Sequence, residues 1–130
     1  MTVTSRIEQT PYETHISTDT QVIVADEPTD VGGGDRGMTP NDLLAASLGA
    51  CTVITLRMYA DRKGWPLTAA VAHVDLDNDR QAGRANFRLR LVLTGDLTTE
   101  QRGRLLEIAD KCPIHKLLEN PVGFTTTLAD

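Results

Sequence analysis

The sequence predicts an α+β fold, antiparallel strands arranged with one long apolar helix, on three observations. Residues 3–25 are rich in β-branched side chains and lack helical periodicity. A strong helix start at residues 39–42 opens a long apolar run, and two alternating segments joined by a turn precede a second capped helix. Strands, helix, two strands, helix and strand is the order of an α+β chain, not of a parallel α/β sheet.

Each element has a local reason. Val3 to Ala25 reads as a short meander with turns near Thr10-Pro11 and Thr18-Asp19-Thr20. Asp26 to Gly37 carries Pro28, Gly32, Gly33, Gly34 and Gly37, a loop composition that matches neither a GxxxxGK[ST] phosphate loop nor a dinucleotide fingerprint. Its acidic residues, Asp26, Glu27, Asp30 and Asp35, read as solvated loop charges. Thr39 caps the first helix, Pro40 suits its first position, and Asp42 favours the positive end of the dipole. That helix is expected to end near Lys63, before Gly64-Trp65-Pro66, and its portion from Leu43 to Leu56 is apolar or small on every side. Such a surface predicts burial all round, with a second subunit as the economical source of cover. Gly49 marks either a break or a close approach.

Ala69 to Asp77 and Arg84 to Thr94 alternate in apolar character and predict a hairpin. Thr98-Thr99-Glu100-Gln101 is a capping-box pattern, with Leu105, Leu106, Ile108 and Ala109 as the inner face of the helix it starts. Pro113 stops that helix near Lys111 or Cys112, Ile114 to Glu119 forms a further turn, and Val122 to Leu128 reads as a closing strand.

Composition limits the function. At 130 residues the chain is one domain, 1–130, able to bury roughly two thirds of its unfolded surface. Aromatic residues make up only 4%, which leaves few large anchors and favours oligomerisation. A net charge of −5 and no window rich in Lys and Arg argue against nucleic acid and anionic membrane surfaces as partners. The N-terminal residues lack a secretory layout, and the longest uncharged stretch, Leu43 to Leu56, is too short to span a bilayer, so a cytoplasmic protein is expected. Its two cysteines are then reduced thiols, and a bridge between them would be transient or catalytic.

Those thiols are the candidate chemistry. If the first helix is continuous, Ser47, Leu48, Ile54 and Thr55 share the face of Cys51 and form an apolar pocket that raises a thiol pKa. If it restarts near Gly49, Cys51 sits in a first turn whose free N–H groups favour thiolate. Cys112, at a helix end, could close a disulfide with Cys51 if the Cα atoms approach within about 7 Å. Both thiols also read as small buried hydrophobes, and His115 as either a base or a helix-end cap. No metal is expected, because Cys112 and His115 make only half a zinc site and would need Cys51 with His15 or His73. No cofactor is expected either.

Thr39-Pro40-Asn41-Asp42-Leu43-Leu44-Ala45-Ala46-Ser47-Leu48-Gly49-Ala50-Cys51, followed later by Ala109-Asp110-Lys111-Cys112-Pro113-Ile114-His115, resembles the OsmC/Ohr superfamily of osmotically inducible and organic hydroperoxide resistance proteins. The resemblance implies an OsmC-like fold and an intertwined homodimer with a long buried central helix. It implies a thiol peroxidase in which Cys51 is peroxidatic and Cys112 resolving, acting on organic hydroperoxides with a dithiol reductant, often a lipoylated protein. Peroxidase members of the Ohr branch place a glutamate where this chain has Asn41, holding an arginine against the thiol. Asp42 is adjacent but shorter, and Arg6 and Arg36 are the candidate arginines. The pattern is nearer the OsmC-like branch, for which the alternative is a non-catalytic small-molecule binding protein with an apolar pocket at the dimer interface.

Overall fold

The computed structural model describes residues 1–129. The chain divides into two compact units, Met1–Ala46 and Ser47–Asp130. In the first, β1 (Thr4–Ile7), β2 (Thr14–Ser17) and β3 (Val22–Ala25) form an antiparallel meander in the order β1-β2-β3. The register runs from Thr4 opposite Ser17 to Thr14 opposite Ala25. The expected turns fall between these strands; at Thr18–Gln21 the Thr18 N–H donates to the Gln21 carbonyl at 2.9 Å.

The glycine-rich loop is organised by a residue that the sequence reading placed in solvent. Asp26 is only 2% exposed. Its Oδ1 accepts from the backbone N–H groups of Glu27 at 2.8 Å, Tyr12 at 3.1 Å and Gly34 at 3.4 Å, while Oδ2 accepts from that of Arg36 at 3.1 Å. Asp30 and Asp35 are exposed as expected. Asp26 differs because it directly follows a strand, where an aspartate can bond to the returning loop and relieve amides that have no ladder partner. Burial pushes its carboxyl up; the four donors, Glu27 foremost, outweigh that, so its pKa lies below the ordinary value of 3.8.

The long helix α1 (Pro40–Lys63) keeps the expected limits. Thr39 and Asp42 cap it reciprocally: Thr39 Oγ1 accepts from the Asp42 N–H at 3.1 Å and Asp42 Oδ2 from the Thr39 N–H at 3.0 Å. At the far end Gly64 takes a left-handed φ of 69°, a conformation that glycine reaches without a Cβ penalty. α1 is long and apolar enough by composition to cross a bilayer. It is nonetheless a core helix, packed through a stripe of Leu48, Gly49, Thr52, Leu56 and Ala60. Within one chain Leu44, Ile54 and Met58 stay 42%, 52% and 62% exposed, the part of the helix surface for which cover from a second subunit is expected. One chain supplies cover for a single stripe.

In the second unit, β4 (Leu67–Asp79) and β5 (Arg84–Gly95) form an antiparallel hairpin, longer than predicted at both ends. Its period-two pattern puts Ala70 opposite Leu93, Ala72 opposite Leu91, Val74 opposite Leu89 and Leu76 opposite Phe87 on the half-buried face. On the exposed face Asp75 lies opposite Arg88, whose guanidinium pairs with Asp77 at 2.8 Å. Gly49 proves to be a close approach and no break: a Cβ there would lie 3.2 Å from Val74 Cγ2. α2 (Thr99–Ala109) has the full capping box, with Thr98 Oγ1 accepting from the Gln101 N–H at 3.1 Å and Gln101 Oε1 from the Thr98 N–H at 2.9 Å. Leu105, Ile108 and Ala109 join Leu56, Ala60 and Leu67 in the core. Leu106, expected with them, is 62% exposed, because its position turns outward between Leu105 and Ile108.

α3 (Pro113–Glu119) follows at once, with Pro113 in its first turn. The predicted closing strand at Val122 to Leu128 is not formed. Those residues pair with no strand among the described residues, and Phe124 and Leu128 are 89% and 96% exposed. Their β-forming composition is real, but a strand needs a neighbouring edge.

Two measurements test this account. Replacing Gly95, whose φ is 144° and whose Cβ would fall on the Pro66 carbonyl, by Ala is expected to lower unfolding free energy by more than about 2 kcal/mol in urea titrations. Asp26→Asn lowers the urea midpoint at neutral pH. A carboxyl with a depressed folded pKa stabilises above its unfolded value of 3.8 and loses that contribution as pH falls through the folded one, so the gap to wild type closes below pH 3.8.

Candidate functional site

α1 runs unbroken through Gly49, so Cys51 sits in mid-helix and the first-turn route to a thiolate does not operate. Its surroundings are also less enclosed than the continuous-helix expectation. Of the four residues on its face, Leu48 is buried and Thr55 half-buried, while Ser47 and Ile54 are exposed. The Thr55 hydroxyl donates back to the Cys51 carbonyl at 2.7 Å and so serves the helix, not the thiol. Cys51 itself is half-buried and Cys112 wholly buried, and both are free.

The fold brings these distant positions together. Cys112 precedes Pro113 as the cap of α3, its Sγ accepting from the His115 backbone N–H at 3.2 Å. On its other side lie the Thr52 hydroxyl, with Oγ1 at 3.9 Å, and the Cys51 thiol, close enough to influence its titration. Burial pushes the Cys112 thiol above its ordinary pKa of 9.0. The His115 N–H and the Thr52 hydroxyl pull the other way, while contact with Cys51 adds to the rise. Cys112 is therefore a protonated thiol at neutral pH, next to a more accessible one.

His115 meets Cys112 through its backbone. Its imidazole points to carboxylates, with Nε2 2.6 Å from Glu119 Oε1 and Nδ1 3.8 Å from Asp110 Oδ1. The ring is thus engaged at the helix end and is not the thiol's base in this arrangement. Sequence reasoning missed Thr52. The available signal was its place immediately after Cys51, which a continuous helix turns about 100° toward the buried stripe.

The remaining sequence candidates lie in the first unit. Asp42 is committed to the cap of α1, and Asn41 is exposed in the same first turn. Arg6, on β1, pairs with Glu8 at 3.3 Å, and Arg36 contributes its backbone N–H to Asp26. Among the described residues, no group of three or more His, Cys, Asp or Glu is placed to hold a metal ion. A groove of about 380 Å³ lies between α1 and β4, lined by Val53, Ile54, Met58, Leu67 and Ala70, with Arg57 at its edge. Neither cysteine opens into it.

None of the curated proteins matches the sequence. Among solved structures, the OsmC like protein of Mycoplasma pneumoniae superposes with a TM-score of 0.76 at 18% identity, covering 91% of this chain and 86% of that one. The organic hydroperoxide resistance protein OsmC of Legionella pneumophila gives 0.65 at 21% identity, over 90% and 87%. The organic hydroperoxide resistance protein OhrB of Bacillus subtilis gives 0.61 at 25% identity, over 89% and 87%. The family model for OsmC-like protein matches residues 32–127, a span that contains both cysteines, Thr52 and the whole of α1, α2 and α3. With fold and sequence pattern in agreement over most of its length, the chain belongs to the OsmC-like protein family.

Proposed function

We propose that this protein is a thiol peroxidase that reduces organic hydroperoxides through Cys51 and Cys112. The observation that carries this reading is the contact between two free thiols of unequal exposure, one half-buried and one fully buried, within an OsmC-like fold. Solved relatives include organic hydroperoxide resistance proteins.

The steps follow from thiol chemistry. The Cys51 thiolate attacks the distal oxygen of the hydroperoxide, the O–O bond breaks, and the alkoxide takes a proton to leave as the alcohol. Cys51 becomes a sulfenic acid. Cys112 then forms the S–S bond, and its proton departs with the sulfenic oxygen as water. A dithiol, such as a lipoyl group on a partner protein, returns two electrons and two protons to regenerate both thiols. Reduced thiols that must be recycled suit a cytoplasmic setting. A homodimer is the natural assembly: Leu44, Ile54 and Met58 leave an apolar face on α1 exposed, as expected of a helix that lacks one layer of cover.

A second reading, binding of a small apolar molecule without catalysis, is favoured by the uncharged Asn41 and by the groove beside Ile54 and Met58. Unreactive thiols together with a co-purified ligand would support it.

With an alkyl hydroperoxide and a lipoyl or small dithiol reductant, Cys51→Ser is expected to abolish hydroperoxide consumption. Cys112→Ser should complete one turnover and then stop. Sustained turnover by Cys51→Ser rules the peroxidase reading out. For the assembly, Ile54→Lys combined with Met58→Lys is expected to halve the mass measured by sedimentation; an unchanged mass places the interface elsewhere.

A further inference from the structure

Thr52 is fully buried, and its hydroxyl faces two acceptors with one proton to give. Oγ1 lies 2.8 Å from the Leu48 carbonyl oxygen and 3.9 Å from Cys112 Sγ. The shorter contact is the back-bond that a helical threonine ordinarily makes, as Thr55 does with Cys51. While Cys112 is a thiol, that arrangement is self-consistent: the Thr52 proton serves Leu48 and the S–H is free to donate to Oγ1 or to Cys51. Once Cys112 carries charge, the stronger acceptor is the sulfur, because hydrogen bonds to ionised acceptors are about twice as strong as neutral ones. A rotation about the Cα–Cβ or C–O bond then redirects the proton. Leu48 keeps its helical N–H donor, so its carbonyl is not orphaned by the change.

Exposure sets which sulfur a reductant meets. Cys112 is wholly buried and Cys51 is not. We propose that Thr52 is a positioning residue for Cys112, its hydroxyl turning from the Leu48 carbonyl to the Cys112 sulfur when that sulfur becomes anionic, so that Cys112 is the leaving group when a dithiol opens the Cys51–Cys112 disulfide. In this step a reductant thiolate bonds to Cys51 Sγ, the S–S bond breaks, and its electron pair stays on Cys112 Sγ. The second reductant thiolate displaces Cys51 and closes the reductant's own disulfide, and Cys112 recovers a proton. The His115 N–H, 3.2 Å away, is a fixed donor to the same sulfur; Thr52 is the adjustable one. Burial raises the Cys112 pKa most, and the Thr52 hydroxyl, with the His115 N–H, is one of the influences that lower it.

The proposal rests on the peroxidase reading for its biological setting, but its test uses no hydroperoxide. In a Cys51→Ser background Cys112 is the sole thiol, and its titration is followed by ultraviolet thiolate absorbance. Thr52→Val, or Thr52→Ala if the valine variant does not fold, is expected to raise the midpoint by about one pH unit. Thr52→Ser should restore it, and Thr55→Val, which loses the equivalent back-bond, should titrate with the parent. Unshifted midpoints in Thr52→Val and Thr52→Ala, or no rescue by serine, overturn the role of the hydroxyl. Separately, the protein carrying both cysteines is oxidised with diamide and treated with glutathione, and the mixed disulfide is located by peptide mass spectrometry. Glutathione on Cys51 supports Cys112 as the leaving group; glutathione on Cys112, or failure of diamide to join the two sulfurs, overturns it. Loss of hydroperoxide activity with these results intact would count against the peroxidase reading alone.

Discussion

The close approach of α1 to β4 at Gly49 is the contact on which the thiol site depends. A Cβ at that position would press on Val74 at 3.2 Å, so the helix lies nearer the strand than any other residue type would readily allow. From there the stripe of Thr52, Leu56 and Ala60 continues toward Leu105, Ile108 and Ala109 of α2. Thr52 is thereby buried where α2 ends and α3 begins, which is where Cys112 stands. Packing, and not any local preference of the cysteines, sets the thiol contact.

The end of α2 and the start of α3 add a second constraint. Pro113 cannot donate a backbone N–H and holds the preceding residue extended, so Cys112 becomes the cap of the next helix and takes the His115 amide as a donor. Burial holds the proton on Cys112 against the pull of the His115 amide and the Thr52 hydroxyl. Cys51, on the border between the buried stripe and the exposed face of α1, has no comparable enclosure. Two chemically identical groups thus stand in unequal surroundings.

In the first unit a buried carboxylate does comparable organising work. Asp26 gathers amides from Tyr12, Glu27, Gly34 and Arg36, so the glycine-rich loop is shaped by an anion inside the protein and not by one bound from outside. This explains why glycines cluster there without any phosphate-loop spacing. At Gly33 and Gly37 a side chain would collide with the backbone of Glu27 and of Val24 and Ala25.

What the sequence by itself determined is whatever depends on neighbours along the chain. The α+β order, the cap at Thr39 and Asp42, the capping box at Thr98 and Gln101, the stop before Pro113 and the paired cysteine motifs were all legible, because caps, turns and periodicity act within a few residues. Tertiary structure alone decided the rest. Whether Gly49 breaks or packs depended on Val74, whether Asp26 is solvated depended on the returning loop, and whether Val122 to Leu128 becomes a strand depended on pairing with a neighbouring edge. Thr52 could not be singled out beside Cys51 because its significance comes from Cys112, a residue remote in sequence. Burial and hydrogen bonding between distant segments are properties of the packed chain, and no local pattern encodes them.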